Sequence, residues 1–291
     1  MRKILGPLLV GLGAFLIVVA ILGLVYAPGA VKKTPLGTDS TTYLSGQADR
    51  LSAGVRPIYA LSITKSDDDA STEDVAVFTN AGCAVFDEGQ DPQECVDAED
   101  DNALALGTDV FATDRVTGEA VDSDALPADA VPHEGLINKW PFDAEKTTYT
   151  YWDGLTKSGV DAVYDRTEEI DGFDTYVYRV SIDEAPIEIA EGTPGTYTDL
   201  KEVYVDPRTG KIIHQTDDQQ RYLEDGTPVL DLQVAFTEEQ QAENVADAED
   251  SISGLDLLTK TVPLIGFIGG ALLLLLGLFL VLTGRRSKRA A

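Results

Sequence analysis

The sequence predicts an α+β protein: a mainly antiparallel β domain, a curled meander sheet with few helices, flanked by two transmembrane α-helices. Three observations carry that expectation. Two long runs contain no charged residue, one near each end of the 291-residue chain. Between them the apolar residues recur with a period of two, the strand period, and the connections are short and turn-like. The charges are segregated as well, because all 50 acidic residues and 16 of the 22 basic ones lie between the two runs and give that segment a net charge of −34.

The first run, Ile4 to Tyr26, holds 23 residues and the second, Val262 to Thr283, holds 22. At about 1.5 Å rise per residue each spans a hydrocarbon core of roughly 30 Å. A cleaved signal peptide competes for the first run. However, the run exceeds the usual signal core of about 7–15 residues, and proline interrupts the following Ala27–Ala30, so a retained anchor is expected. Arg2 and Lys3 precede the first run, and Arg285, Arg286, Lys288 and Arg289 follow the second. The positive-inside bias then puts both termini in the cytoplasm. The expected organisation is an anchor over 1–30, an acidic extracytoplasmic domain over 31–260, and a transmembrane helix with a basic tail over 261–291. The expected location is the plasma membrane.

The acidic middle segment excludes sequence-independent nucleic-acid binding, which needs Lys and Arg to displace phosphate counterions. Cys83 and Cys95 are predicted to pair, since the outside of the cell is oxidising and the loop between them is short. Strands are expected over Leu51–Thr64 and Asp74–Phe86, separated by the acidic loop Ser66–Glu73. Further strands are expected over Val160–Thr167 and Phe173–Ile182, joined by an Asp171-Gly172 hairpin turn. Tyr176, Tyr178, Val180 and Ile182 then share one face. Thr198–Val205 and Lys211–Tyr222 flank Asp206-Pro-Arg-Thr-Gly210, and the same D-x-x-T-G turn occurs at Asp114–Gly118. Val229–Phe236 alternates Leu230, Leu232, Val234 and Phe236 inward against Asp231 and Gln233 outward. Thr237-Glu-Glu-Gln240 is a capping box opening a helix towards Ala248, and Ser251–Lys260 links it to the second run.

Catalytic signatures are absent: there is no H-E-x-x-H, G-x-S-x-G, Walker loop or dinucleotide fingerprint. His133 and His214 stand far apart, each without a nearby ligand residue, and no metal or cofactor is expected. The acidic clusters Asp67–Asp69 and Glu99–Asp101 lack EF-hand spacing and read as solvated loops. One stretch concentrates aromatics, Gly135 to Asp153, with Trp140, Phe142, Tyr149, Tyr151 and Trp152. Such side chains suit either an aromatic plug at one end of the sheet or a wall that binds lipid or sugar, and these five are the candidate ligand-binding residues.

The run GLINKWPFDAEKTTYTYWD, the hairpin DGFDTYVYRV and the turn EVYVDPRTGKI resemble the actinobacterial envelope family that carries the PorA-type porin label. The resemblance covers essentially the whole chain. It implies an N-terminal anchor, a large outer domain, a C-terminal transmembrane helix and a cell-envelope role linked to lipid or lipoglycan assembly. It transfers no catalytic residue. A porin mechanism conflicts with the sequence, because barrel strands need an uninterrupted lipid-facing apolar row and no long apolar helix. The functional expectation is therefore a non-enzymatic membrane-anchored protein whose outer domain binds envelope lipid or lipoglycan, alone or beside a transporter. One alternative is a scaffold or accessory subunit, recruiting membrane partners through the small-xxx-small pattern Gly266–Gly270. A weaker one is a wall-glycan hydrolase, which requires two neighbouring carboxylates, one with a raised pKa.

Overall fold

The computed structural model describes residues 2–286 and divides into two compact units, Thr34–Ala248 and Met1–Lys33 with Glu249–Ala291. Lys288 and Arg289 of the expected basic tail lie outside the described residues.

The larger unit is one ten-stranded antiparallel sheet curled into a half-barrel. Its strands are β1 (Asp39–Arg50), β2 (Arg56–Asp67), β3 (Val75–Phe86), β4 (Ala103–Asp114), β5 (Tyr149–Asp153), β6 (Ser158–Ile170), β7 (Phe173–Ala190), β8 (Thr193–Val205), β9 (Ile212–Leu223) and β10 (Pro228–Phe236). The order β4-β3-β2-β1-β10-β9-β8-β7-β6-β5 makes two meanders joined where β1 pairs with β10. The curl is visible in one hydrogen bond. The Tyr197 hydroxyl on β8 donates to Asp153 on β5 at 3.4 Å, reaching over β6 and β7. Strands lie about 4.8 Å apart, so only side chains on a concave face meet across that distance.

The expected turns form. Asp171 and Gly172 both have positive φ, 50° and 84°, and join β6 to β7 in register Ile170 opposite Phe173. In the β8–β9 turn, the Asp206 carboxylate accepts from the Arg208 and Thr209 amides at 3.0 Å each. Gly210 closes that turn at φ +74°, and a Cβ there would lie 2.0 Å from the Trp140 carbonyl oxygen. The upstream copy behaves alike: Asp114 accepts from Val116 and Thr117, and a Cβ on Gly118 would lie 2.9 Å from the Lys139 carbonyl. The two D-x-x-T-G turns thus grip the same piece of chain.

That chain ties the sheet edges together at one end. Asp114 N–H donates to Glu119 C=O, Ala120 N–H to Gly135 C=O, Leu136 N–H to Thr150 C=O and Trp152 N–H to Leu136 C=O, at 2.7–2.9 Å. Backbone pairing therefore continues from β4 to β5 through two short segments.

Several expectations need correction. The strand expected from Leu51 begins at Arg56, because Leu51 and Ser52 have positive φ in the β1–β2 turn. Strands β1, β4 and β5 escape the periodicity reading. β1 (DSTTYLSGQADR) and β4 (ALALGTDVFATD) place small or polar residues on both faces. The Gln240 amide does not complete the capping box. Gln240 N–H donates to Thr237 Oγ1, but its side-chain oxygen accepts from Tyr43 N–H on β1, and Thr237 N–H donates to Tyr43 C=O. Helix α3 (Glu238–Asp256) runs without a linker into a π-helical turn, Leu257–Thr261, and then α4 (Val262–Arg286). Pro263 has no N–H for the regular ladder, which accounts for the wider turn at that point. Cys83 and Cys95 are disulfide-bonded. They hold the 87–102 loop over the convex face of β2 and β3, where the Tyr59 hydroxyl donates to the Glu94 carbonyl.

In the smaller unit, α1 (Arg2–Val25) leads into the short α2 (Ala27–Val31). Helices α1 and α4 are both long and apolar enough to cross a membrane, and they pack antiparallel. Gly6 faces Gly277, Gly13 faces Gly270 and Ala20 faces Gly266. A Cβ on Gly13 would lie 2.7 Å from the Gly270 carbonyl oxygen. The small-xxx-small pattern expected to recruit a partner helix is thus filled by the chain's own first helix.

Candidate functional site

The register places Tyr149, Tyr151 and Asp153 of β5 on the concave face, with Tyr164, Tyr176, Tyr178, Val180, Tyr197, Val203 and Val205 of β6–β8. Trp140, held by its N–H bond to Gly210 C=O, drops onto this surface and is wholly buried. Its ring lies 5.5 Å from Tyr151 and 5.2 Å from Tyr178, and Leu136 and Ala144 complete the cluster. Tyr149 is half-buried, packs edge-on to Tyr178 and accepts from Glu145 N–H, while Tyr178 donates to the Glu145 carbonyl. Phe142, also half-buried, lies 3.7 Å beneath the Lys139 ammonium, whose pKa burial pushes down to about 7. Trp152 points to the other side of β5 and packs against His133, with ring centroids 4.4 Å apart and tilted by 45°. Of the five candidate residues, Trp140 and Tyr151 therefore meet in one core, Phe142 and Tyr149 border it, and Trp152 is separate. As placed, Trp140, Tyr151 and Trp152 present almost no surface to a ligand.

Above this aromatic plug runs a buried polar column. Lys201 on β8 lies 2.9 Å from Asp217 on β9 and 3.5 Å from Asp199. Tyr197, Asp153 and Arg221 surround them. Burial, reinforced by the neighbouring Asp217 carboxylate, pushes Asp199 up to about 7, although Lys201 opposes the shift. Both Asp199 oxygens, one Asp217 oxygen and Arg221 Nε lack a hydrogen-bond partner among the described residues. A glycoside hydrolase keeps its carboxyl groups about 5–9.5 Å apart to admit substrate or water. Here both aspartates gather on one buried lysine, 3.5 and 2.9 Å away, so that Lys201 stands where substrate or water would have to enter. Sequence reasoning missed this column because Asp199 and Lys201 on β8, and Asp217 and Arg221 on β9, read as charges of a solvated strand. Only the curl turns that row inward.

Beyond the column, the concave face changes character. Ala48, Ile58, Phe86, Leu230 and Leu232, with Leu104 and Val234 against them, form an apolar cluster built entirely from strand residues. Alongside it lie Ala60, Ser62, Gly82, Ala84, Ala105 and Gly107, aligned by register on the same face. The aromatic cluster, by contrast, is capped by the 136–144 segment.

A separate cleft of about 510 Å³ lies between β4 and the 121–133 loop, walled by Ala112, Val121, Leu126, Pro127, Val131 and His133, with Asp122 and Asp124 also lining it. His133 is fixed there by Asp109 at 2.8 Å. His214 sits between Tyr204 and Phe236, and burial lowers its pKa. No group of three His, Cys, Asp or Glu side chains among the described residues is placed to hold a metal ion.

None of the curated proteins matches this chain. Among solved structures, a LolA superfamily protein from Nitrosomonas europaea aligns at 10% identity over 75% of this chain and 92% of that one, with a TM-score of 0.16. A likeness that slight carries no argument here. The family described as porin PorA matches residues 5–279, nearly the whole chain, and the protein belongs to that family.

Proposed function

We propose that this PorA-family protein is a non-enzymatic, plasma-membrane-anchored envelope protein whose extracytoplasmic domain binds and handles lipid or lipoglycan, with both termini in the cytoplasm. The observation that carries the reading is the strip of mostly small residues on the concave face beside the buried cluster, Leu44, Gly46, Ala60, Ser62, Gly82, Ala105 and Gly107, which are half-buried or exposed. A concave strip of small side chains leaves room for an apolar ligand chain, which gains by leaving water. The basic flanks of both helices and the disulfide agree with a domain outside the cell.

The reading departs from the mechanism in the family's description. The convex face carries Asp49, Asp161, Asp165, Arg179, Glu202, Asp218, Asp231 and Gln233, and charged rows of that kind cannot face lipid. Arg166 sits there in a surface network, bidentate to Glu202 at 2.9 Å, and holds that carboxyl down to about 2. Planar-bilayer recordings on the full chain are expected to show no discrete conductance steps. The direct test is native mass spectrometry of the full chain extracted from membranes, beside an Ala60→Phe variant that places a ring over that strip. Lipid retained by the natural chain and lost from the variant supports the reading. A natural chain carrying no lipid on its outer domain overturns it.

A further inference from the structure

The sheet leaves strand edges open on both sides, and the two sides are built differently. On the β5 side, β6 and β7 run on past their neighbours. Those stretches carry Arg166, Glu168 and Glu169 on β6 and Glu184, Pro186 and Glu188 on β7, with register shifts in both strands. Charge, proline and bulges on an edge keep other chains from pairing with it. The edge of β4 has no such guard. From Ala103 to Thr108 it reads Ala-Leu-Ala-Leu-Gly-Thr, without charge or proline. Its one register shift falls at Leu104, and the four residues that follow, Ala105–Thr108, are all exposed, Leu106 by 42%.

The main chain shows where this edge points. At its far end the chain adds a strand of its own: Asp114 N–H donates to Glu119 C=O, and Ala112 C=O accepts from Val121 N–H, both at 2.9 Å. The register with β3 is regular from Ala105 to Asp114, so every second residue back from Ala112 turns its N–H and C=O the same way, outward. Val110 keeps that parity, since its N–H donates to the adjacent Asp109 carboxylate. Thr108 and Leu106 come next, and among the described residues no other backbone group pairs with them on that side. Charge brackets this stretch. Glu99, Asp100 and Asp101 precede β4, and Asp122 and Asp124 line the cleft that begins at Ala112, all of them exposed.

We infer that the open edge of β4 at Ala105–Thr108 receives an extended segment of another protein, which pairs with it, continues the sheet, and carries lysine or arginine on either side of a short uncharged run. Main-chain hydrogen bonds supply the affinity, and the two acidic groups select a basic partner and fix its register. A second copy of this chain fits poorly. In an antiparallel pair, Glu99–Asp101 of one copy would meet Asp122 and Asp124 of the other, and like charges repel. The inference does not depend on lipid binding.

The test uses the full chain in detergent micelles and a fluorescent probe peptide, a short run of alternating valine and threonine with paired lysines at each end. Anisotropy measures binding, and hydrogen exchange read by peptide mass spectrometry locates it. The expected result is a Kd below about 1 mM, with exchange slowed over residues 105–110. Methylating every backbone amide in the uncharged run removes the donors and keeps the charge, and is expected to weaken binding about tenfold or more. Thr108→Pro removes an outward N–H while sparing the ladder to β3, and is expected to weaken it similarly. The methylated probe and the exchange map need no variant, so misfolding of Thr108→Pro cannot rescue the inference. Equal binding by the methylated probe, or protection elsewhere, shows charge attraction alone and overturns it. Absence of binding overturns it too. Slow exchange over residues 105–110 in the free chain, together with cross-linked dimers, assigns the edge to a second copy and overturns the choice of partner.

Discussion

One sheet, curved one way, carries two different concave surfaces. On β5–β8 the inward rows are tyrosine and valine, and the 136–144 segment lowers Trp140 onto them. On β10 and β1–β4 a buried cluster of Ala48, Ile58, Phe86, Leu230 and Leu232 adjoins inward rows of small residues, Gly46, Ala60, Ser62, Gly82, Ala105 and Gly107. The difference lies in side-chain volume and in which half owns the capping chain. Both D-x-x-T-G turns grip that chain at its backbone and so fix its depth over the aromatic half. The half filled by aromatic rings supplies stability, and the small inward side chains of the other half leave surface. Stability and binding are therefore expected to separate by substitution.

The largest effect tests the filled half. Trp140→Ala removes a wholly buried ring from between Tyr151 and Tyr178, and a loss of about 3–5 kcal/mol is expected in chemical unfolding of the outer domain. A loss below about 1 kcal/mol would mean that the plug is not structural. Next, Cys83→Ala with Cys95→Ala opens the cross-link across a 12-residue separation, with about 3 kcal/mol expected on the chain-entropy estimate. Reductant applied to the unaltered protein should reproduce most of that loss, and none of it if the loop's own contacts suffice.

The seam between the halves answers to pH. Asp199 rises from 3.8 to about 7 in the folded state, so the folded chain holds the proton more tightly than the unfolded one. Its contribution to stability is complete below the unfolded value and is lost as pH climbs to about 7. His214, with its pKa lowered by burial, acts in the opposite sense below its ordinary 6.5. The difference between Asp199→Asn and the natural chain isolates the aspartate. The variant's relative melting temperature is expected to rise between pH 5 and pH 8, and a flat difference would place Asp199 in contact with water. The smallest effect belongs to the unfilled half. Ala60→Phe should change stability by less than about 1 kcal/mol while removing bound lipid. A cost matching that of Trp140→Ala would show those small-residue rows to be as closely packed as the plug.

Much of the fold is legible where local chemistry decides it. Asp171-Gly172 demands positive φ at two successive residues, and the hairpin forms there. Leu230, Leu232, Val234 and Phe236 alternate because one face of β10 is apolar and the other wet. The family resemblance drawn from GLINKWPFDAEKTTYTYWD and its companion motifs agrees with the match over residues 5–279. Legibility fails for β1 and β4. Their concave positions hold Gly46, Ala105 and Gly107, residues too small to mark a buried face by hydropathy. It fails again for Lys201, Asp199 and Asp217, which read as a solvated strand and are nearly inaccessible. The aromatic stretch was visible as a cluster, but its division between the core (Trp140, Tyr151) and the far side of β5 (Trp152) depends on strand parity at a short edge strand.

By itself the sequence determined the two apolar helices, the acidic domain between them, the cysteine pair and most of the hairpins. Each is set by composition or by a few adjacent residues, through hydration, turn sterics or loop closure over a short span. The tertiary structure alone decided that Gly13 meets Gly270, that two distant turns clamp one segment, and that Lys201, Asp199 and Asp217 gather inside the sheet. Those contacts join residues far apart in the chain, and curvature of a ten-stranded sheet brings them together. No local pattern encodes a curvature that every strand contributes to at once.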